Sequence, residues 1–446
     1  MSHMHAPGGK GPEDYRIPKG QAWYLLAMLM LLMVFGLMDR MIIGTLFPKL
    51  KEDWGLSDTQ LGGLVSATYW GMAVFVIPAA ILTDRWSRKY AIVLMAAIWT
   101  GATIACGLAG NVIQLIAARF FIGAGEGGYN AGAISMISST FPERLRATAT
   151  SLFSSAGTFG SVLGVAIGGY VATHYGWREA FFAVAAPGLL VVLLFAFTAR
   201  DIKTFALEMV GNDGRQRKME LGDSIRVLFA TPSLLALYAG ISGVLFMNAA
   251  IYAWLPALLN RSEGMTMGDA AMHSALVLLA ASCGTALGGV LVDRLKRFGR
   301  RVLMLAPATY ALLGTLAFML AFSRLSGDAR FVVLCIGGFF LGAIFGPVFA
   351  ACQTVVHPGL RATVVGVINV IGQVIGGLGP LTVGLLSDAI GLDMGLAVVC
   401  IALLAAGVAL AIGAASFERD AIRVEKMTRV AEDDVPSGTA PALGNV

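Results

Sequence analysis

The sequence is divided by polar interruptions into long runs with almost no charge, among them residues 22–35, 91–109 and 398–415. About twenty helical residues, rising 1.5 Å each, cover the hydrocarbon core of a bilayer. Strands of a membrane barrel would alternate apolar and polar residues. These runs do not alternate, so the spans are helices. Composition agrees: 57% of residues are hydrophobic and 13% charged, where a soluble domain carries about 25% charged residues. The chain is an all-α integral membrane protein.

Twelve spans are predicted, at 21–46, 60–83, 89–109, 111–139, 148–174, 177–198, 232–259, 270–292, 301–323, 331–355, 362–387 and 391–415. The longest polar interruption, 200–226, splits them six and six. The expected organisation is a leader at 1–20, a first six-helix bundle at 21–199, a linker at 200–230, a second bundle at 231–416 and a polar tail at 417–446, expected to be disordered. The linker stretch RQRKMELGDSIR reads as a short amphipathic helix. The opening MSHM is expected to be a cloning remnant, and no removable signal peptide is visible.

Basic residues orient the spans. With the amino terminus inside, the inner segments hold 24 of the 32 Lys and Arg, and the outer loops hold Lys49, Lys51, Arg178, Arg261, Arg324 and Arg330. Both termini are therefore expected in the cytoplasm, with the chain in the inner membrane. The net charge of +5 is an orientation signal and gives no support to nucleic-acid binding. The five cysteines lie in apolar spans without CxxC spacing, and the five histidines form no metal-binding pattern. No GxSxG, P-loop or HExxH motif is present, so no enzyme activity, metal or cofactor is expected. The energy source is then expected to be an ion gradient, a proton gradient above all, or the substrate's own gradient.

The remaining two basic residues, Arg40 and Arg119, fall inside spans, as do the acidic Asp39 and Glu126. The second half has no such charge. A charge at the bilayer centre costs about 2.5–3.5 kcal/mol even on lenient scales, so these four are expected to face a water-filled cavity or one another. In RFFIGAGEGGYN, Arg119 and Glu126 are two helical turns apart and share a face, with Gly123 between them where another helix can approach. Asp39 and Arg40, adjacent in span 1, point about 100° apart. A cluster of all four across spans 1 and 4 is expected. In the second half the interior polar candidates are Asn248, Tyr252, Trp254, Tyr310, Gln353, Asn369 and Gln373.

The two halves repeat. AILTDRWSRKYAI follows span 2 and GVLVDRLKRFGRRVLML follows span 8, and RATATSLFSSAG is echoed by RATVVGVINVIG. Matching motifs at nearly one offset indicate an internal duplication. The D-R-x-x-R-K string at Asp84, Arg85, Arg88 and Lys89, with its echo at Asp293 and Arg294, resembles the loop signature of the major facilitator superfamily. Ala80 replaces the family's usual glycine, and Gly289 keeps it in the second copy. The resemblance implies two pseudo-symmetric six-helix bundles working by alternating access, with Asp84, Arg85, Arg88, Asp293 and Arg294 as gating residues.

Within that superfamily, Met38-Asp39-Arg40 and the R-x-x-x-G-x-G-E-x-x-Y string from Arg119 to Tyr129 resemble the Spinster family, whose animal members move sphingoid phosphates or lysophospholipids. Gly36-Leu37 departs from that family's Asn-Tyr. Bacterial organic-anion/proton symporters of the hexuronate type carry similar charges in spans 1 and 4, usually with proline at the position of Tyr129. The expected function is proton-coupled transport of a lipid-like amphiphile, with small organic anions as the alternative. Desolvation and arginine shift a carboxylate's proton affinity in opposite directions, so Glu126 and then Asp39 are the proton-coupling candidates. Arg119, Arg40, Tyr129, Asn248, Tyr252, Trp254, Asn369 and Gln373 are the substrate-binding candidates. A monomer is expected.

Overall fold

The computed structural model describes residues 15, 17–200, 229–356 and 360–433. Fifteen α-helices run through them: α1 Lys19–Thr45, α2 Phe47–Trp54, α3 Asp58–Arg85, α4 Arg88–Leu108, α5 Val112–Glu126, α6 Tyr129–Thr140, α7 Glu143–His174, α8 Trp177–Thr198, α9 Pro232–Ser262, α10 Met267–Leu295, α11 Val302–Ser323, α12 Gly327–Ala343, α13 Phe345–Thr354, α14 Arg361–Ile390 and α15 Leu392–Asp433. Among the described residues, eleven segments are long and apolar enough to span a membrane, by length and composition. The twelfth crossing is α5 and α6 in series, each too short alone. Twelve crossings put the start of α1 and the end of α15 on one face, here the terminal face. The short α2 lies on the opposite face.

The fourth span, expected as one stretch at 111–139, is two helices. α5 ends at Glu126 and α6 begins at Tyr129, with Gly127 and Gly128 between. A Cβ on Gly128 would lie 2.3 Å from that of Ala79, and one on Gly125 would lie 2.6 Å from the Met95 carbonyl. The break therefore sits where α3 and α4 both press against the chain, and it leaves Glu126 at a helix end.

The duplication is visible in packing. Gly71 of α3 and Gly123 of α5 seat reciprocally: a Cβ on either would lie 2.1 Å or 2.0 Å from the carbonyl of Phe120 or Thr68. Gly284 of α10 and Gly342 of α12 repeat the arrangement, each 1.9 Å from a facing carbonyl. Backbones approach this closely only where both helices lack side-chain bulk. The helix that Gly123 admits is α3. The glycines of span 5 do the same for α1: Gly160 and Gly164 of α7 seat against Val34 and Met38.

The two bundles meet in the half of the molecule away from the chain ends. Gly44 of α1 abuts Ala253 of α9, Gly62 and Asp58 of α3 abut Pro380 and Gly384 of α14, and Gly169 of α7 abuts Ala271 of α10. On the terminal side, α7 and α10 separate into an open crevice of about 800 Å³.

Of the tail expected to be disordered, residues 417–433 are helical instead, and 434–446 lie outside the described residues. α15 continues as helix through Asp433, because its extension has partners. Phe417 and Ala421 are buried. Asp420 accepts the amide hydrogen and the hydroxyl of Ser233, capping the start of α9 at 3.2 and 2.7 Å. The linker helix expected near 215–226 lies outside the described residues.

Candidate functional site

The four intramembrane charges converge in the space between α1 and α5, and they pair crosswise. Arg40 Nε donates to Glu126 Oε2 at 2.9 Å, and Nη2 donates to the same oxygen. The Arg40 guanidinium lies 5.9 Å from the ring centre of Tyr69 on α3. Arg119, fully buried, donates from Nη1 to the Asp39 carbonyl at 3.0 Å and from Nη2 to the Arg40 carbonyl at 3.3 Å. Its distance to the Asp39 carboxylate is longer, 3.8 Å. Arg119 is thus bound chiefly to the backbone of α1.

Asp39 is buried with one close side-chain partner. Thr103 Oγ1, on α4, lies 2.5 Å from Asp39 Oδ2 and 2.8 Å from the Trp99 carbonyl. A hydroxyl has a single hydrogen and two acceptor sites. With Asp39 ionised, that hydrogen serves the carboxylate. With Asp39 protonated, the acid donates to Thr103 and the hydroxyl hydrogen turns to Trp99. Thr103 can therefore satisfy Asp39 Oδ2 in either protonation state. The other carboxylate oxygens, Asp39 Oδ1 and Glu126 Oε1, are buried without a hydrogen bond among the described residues.

Of the eight predicted substrate-binding residues, the structure brings two groups to the bundle interface. Arg40 and Tyr252 line a small cavity of about 10 Å³ with Tyr69, between α1, α3 and α9, a space for about one water. Asn248, one turn from Tyr252, is half-buried, as is Gln373, while Asn369 is exposed. Tyr129 lies elsewhere. It is buried inside the first bundle, donates its hydroxyl to the Leu29 carbonyl at 2.5 Å, and packs edge-on against Trp99. Trp254 is fully buried, donates to the Pro380 carbonyl at 2.9 Å, and packs against Phe47. Both rings fill helix junctions. Arg119 too is enclosed, and the arginine that reaches the interface is Arg40.

The contacts described for the predicted gating residues lie within their own bundles. Arg88 donates to the Ser135 carbonyl at 3.2 Å within its own bundle. Asp293 pairs with Lys296 at 2.6 Å, three residues on, and Arg294 is exposed. The side chains of Asp84 and Arg85 lie outside the described residues.

Sequence reasoning missed a polar seal on the opposite face. Asp58, at the start of α3, receives both Nη atoms of Arg261 from α9, at 2.7 and 3.0 Å, and the Ser387 hydroxyl of α14 at 2.5 Å. Lys51 adds a bond at 2.7 Å. Asp388 in turn caps α3 across the interface, accepting from the amides of Asp58 and Thr59 at 2.9 Å each and from the Thr59 hydroxyl at 2.7 Å. A carboxylate at a helix N-terminus is favoured by the unpaired amides and the helix dipole. The bundles are thus latched on one face and parted on the other. Tyr69 and Thr103 were also missed, since neither residue type stands out in an apolar helix.

Comparison with known proteins agrees with this architecture. Residues 29–380 match the family model described as Major Facilitator Superfamily. A probable sulfoacetate transporter of Cupriavidus necator is 27% identical, over 82% of this chain and 87% of that protein. Human protein spinster homolog 1 is 25% identical, over 83% of this chain and 74% of its own length. The crystal structure of a bacterial homologue of the human lysosomal transporter Spinster, inward-facing and unoccupied, superposes with a TM-score of 0.78 at 25% identity, covering 92% of this chain and 99% of that one. With twelve crossings, duplicated packing and two bundles closed on one face, the chain belongs to the major facilitator superfamily and resembles its Spinster members.

Proposed function

We propose that this transporter carries a small organic anion by alternating access, coupled to protons through Glu126 and Asp39. On the basic-residue asymmetry, the terminal face is cytoplasmic and the chain sits in the inner membrane with an inward-facing opening. The observation that carries the choice of substrate is the lining of the crevice between bundles. Thr150, Ser151, Ser154, Ser155 and Thr158 of α7 face Ser282 and Thr285 of α10, with Arg146 at the same opening. Ser155, Ser282 and Thr285 give their hydroxyl hydrogens to helix carbonyls, and the hydroxyls of Thr150, Ser151, Ser154 and Thr158, with the Arg146 guanidinium, support a substrate with polar groups along its length. An amphiphile suits a cavity with charges on one wall and apolar residues on the other. The sulfoacetate relative supports a compact anion.

The site has the parts such a cycle requires. Arg40 borders the interface and is held by Glu126. An arriving carboxylate or sulfonate competes for the guanidinium, since paired N–H donors suit planar oxyanions. Glu126, losing its partner in a buried setting, becomes costly as an anion and takes up a proton. Substrate and proton then load together. Asp39, bridged by Thr103, offers a second proton site. Arg119 holds the α1 backbone in place for both.

A lipid-like amphiphile is the second reading, favoured by the likeness to the bacterial Spinster homologue. A thermal-shift and proteoliposome-uptake screen separates the two, setting sulfoacetate and hexuronates against lysophospholipids and sphingoid phosphates. Saturable uptake of the small anions, lost in Arg40→Ala, supports the first reading. Response only to the lipids overturns it.

A further inference from the structure

The last helix carries a feature that substrate transport does not use. Residues Leu404, Val408, Ala411, Ala415, Glu418, Ile422 and Lys426 recur every three or four positions along α15 and form one continuous stripe. Two cavities lie on this stripe. The first, of about 260 Å³, is an apolar groove between α15 and α11, walled by Leu305, Leu312, Leu404 and Val408. Its floor is the close approach of Gly407 to Ala308 and Ala311, where a Cβ on Gly407 would lie 3.1 Å from that of Ala311. The second, of about 670 Å³, continues toward the terminal face and is lined by Arg301, Glu418, Arg419, Ile422, Arg423 and Lys426.

The charge of the second cavity is one-sided. It holds four cations and one carboxylate, and that carboxylate, Glu418, is already committed to Arg301 at 3.0 Å. The nearby Glu425 is committed to Arg300 at 2.9 Å. Arg419 lies 3.7 Å from Asp420, whose other oxygen caps Ser233. Arg423 and Lys426 are exposed and have no carboxylate partner among the described residues. An apolar groove on the hydrophobic run of α15 therefore leads into a surplus of positive charge at that helix's polar end. Ile422, 42% exposed between the cations, continues the apolar surface into that basic cavity.

We propose that the α11/α15 seam binds an anionic phospholipid, with an acyl chain along Leu404, Val408 and Ala411 and the phosphate on Arg423 and Lys426. Charge complementarity selects the occupant. A zwitterionic headgroup would bring its own cation against the surplus, whereas a net negative one is attracted by each neighbouring Lys or Arg. The helical extension of α15 supplies the headgroup half of the site.

The test uses full-length protein, purified and delipidated in detergent, with binding read by native mass spectrometry and thermal shift. Phosphatidylglycerol is titrated against phosphatidylcholine, with glycerol phosphate as a tailless probe. Arg423→Gln/Lys426→Gln alters only exposed side chains, and Val408→Trp, at a position 51% exposed, fills the groove. The expected result is at least tenfold preference for phosphatidylglycerol, reduced at least fivefold by either variant, and no response to glycerol phosphate. Equal response to both lipids overturns the proposal. So does preference that survives both variants, or an equal response to glycerol phosphate, which would make this a site for free anions.

Discussion

Arg261 and Asp58, 203 residues apart in sequence and on different bundles, meet through two parallel N–H···O bonds of 2.7 and 3.0 Å. Asp388 then grips the amides of the same helix turn from α14. These contacts can form only while the opposite face is shut, so they weight the equilibrium between the two openings. Charge-assisted bonds contribute about 1.5–3 kcal/mol each, and a loss of about 2 kcal/mol shifts a two-state ratio about thirtyfold. Asp58→Asn and Asp388→Ala are each expected to raise the population open on that face. Spin labels on exposed positions of α2 and the α9–α10 connection would report longer distances. An unchanged distance distribution in both variants would show that helix packing alone closes this face.

The Arg40–Glu126 pair leads to a second expectation. Glu126→Gln keeps a hydrogen-bond acceptor for Arg40 but removes the titratable group. Counterflow exchange of substrate is expected to persist at within a few-fold of wild type, while accumulation driven by a pH gradient falls to the level seen without a gradient. Uphill uptake that survives in both Glu126→Gln and Asp39→Asn would remove these residues from proton coupling.

The charged cluster was legible because charge inside an apolar span is expensive and therefore conspicuous. Its membership followed from Asp39, Arg40, Arg119 and Glu126 alone, and the 100° offset between Asp39 and Arg40 already implied that they serve different partners. The seal was not legible. Asp58, Arg261 and Asp388 stand at span ends, where charges are ordinary, and nothing local joins residues 330 positions apart such as Asp58 and Asp388. Tyr129 and Trp254 misled for a related reason: a polar tip on a large ring serves a cavity or a backbone carbonyl equally well, and only packing decides which. The break in the fourth span was written in Gly127-Gly128, but glycine is common in membrane helices that remain intact. The length of α15 depended on tertiary partners, Ser233 for Asp420 and Arg301 for Glu418, which hydropathy does not register.

Thr103 makes a prediction that separates its role from simple packing. Thr103→Val preserves shape and removes the hydroxyl beside Asp39. Leaving a buried carboxyl oxygen unsatisfied costs about 1–3 kcal/mol, so a lowered melting temperature is expected. In the Asp39→Asn background the same substitution is expected to cost something different, since an amide makes other demands on a single hydroxyl. A double-mutant cycle with a coupling energy of about 0.5 kcal/mol or more, together with a displaced pH profile of uptake in Thr103→Val, identifies Thr103 as the residue that positions Asp39. Additive stabilities and an unmoved pH profile would reduce it to packing.

Tyr129 provides the last test, because its family resemblance and its geometry point in different directions. The GEGGY string made it a candidate for contact with substrate. In the structure its hydroxyl bonds the Leu29 carbonyl on α1, and its ring fills the junction beside Trp99, one residue past the break that places Glu126. Tyr129→Phe removes only the hydroxyl. A neutral hydrogen bond contributes about 0.5–1.5 kcal/mol net, so a modest fall in thermal stability is expected with the KM for substrate unchanged. Tyr129→Ala would open a cavity between α1, α4 and α6 at a cost of about 3–5 kcal/mol, the range for large aromatic truncations, and would disturb Glu126 through the helix break, lowering transport rate more than affinity. A KM raised tenfold in Tyr129→Phe at wild-type stability would instead return this tyrosine to the binding surface. The Leu29 contact would then belong to only one stage of the cycle.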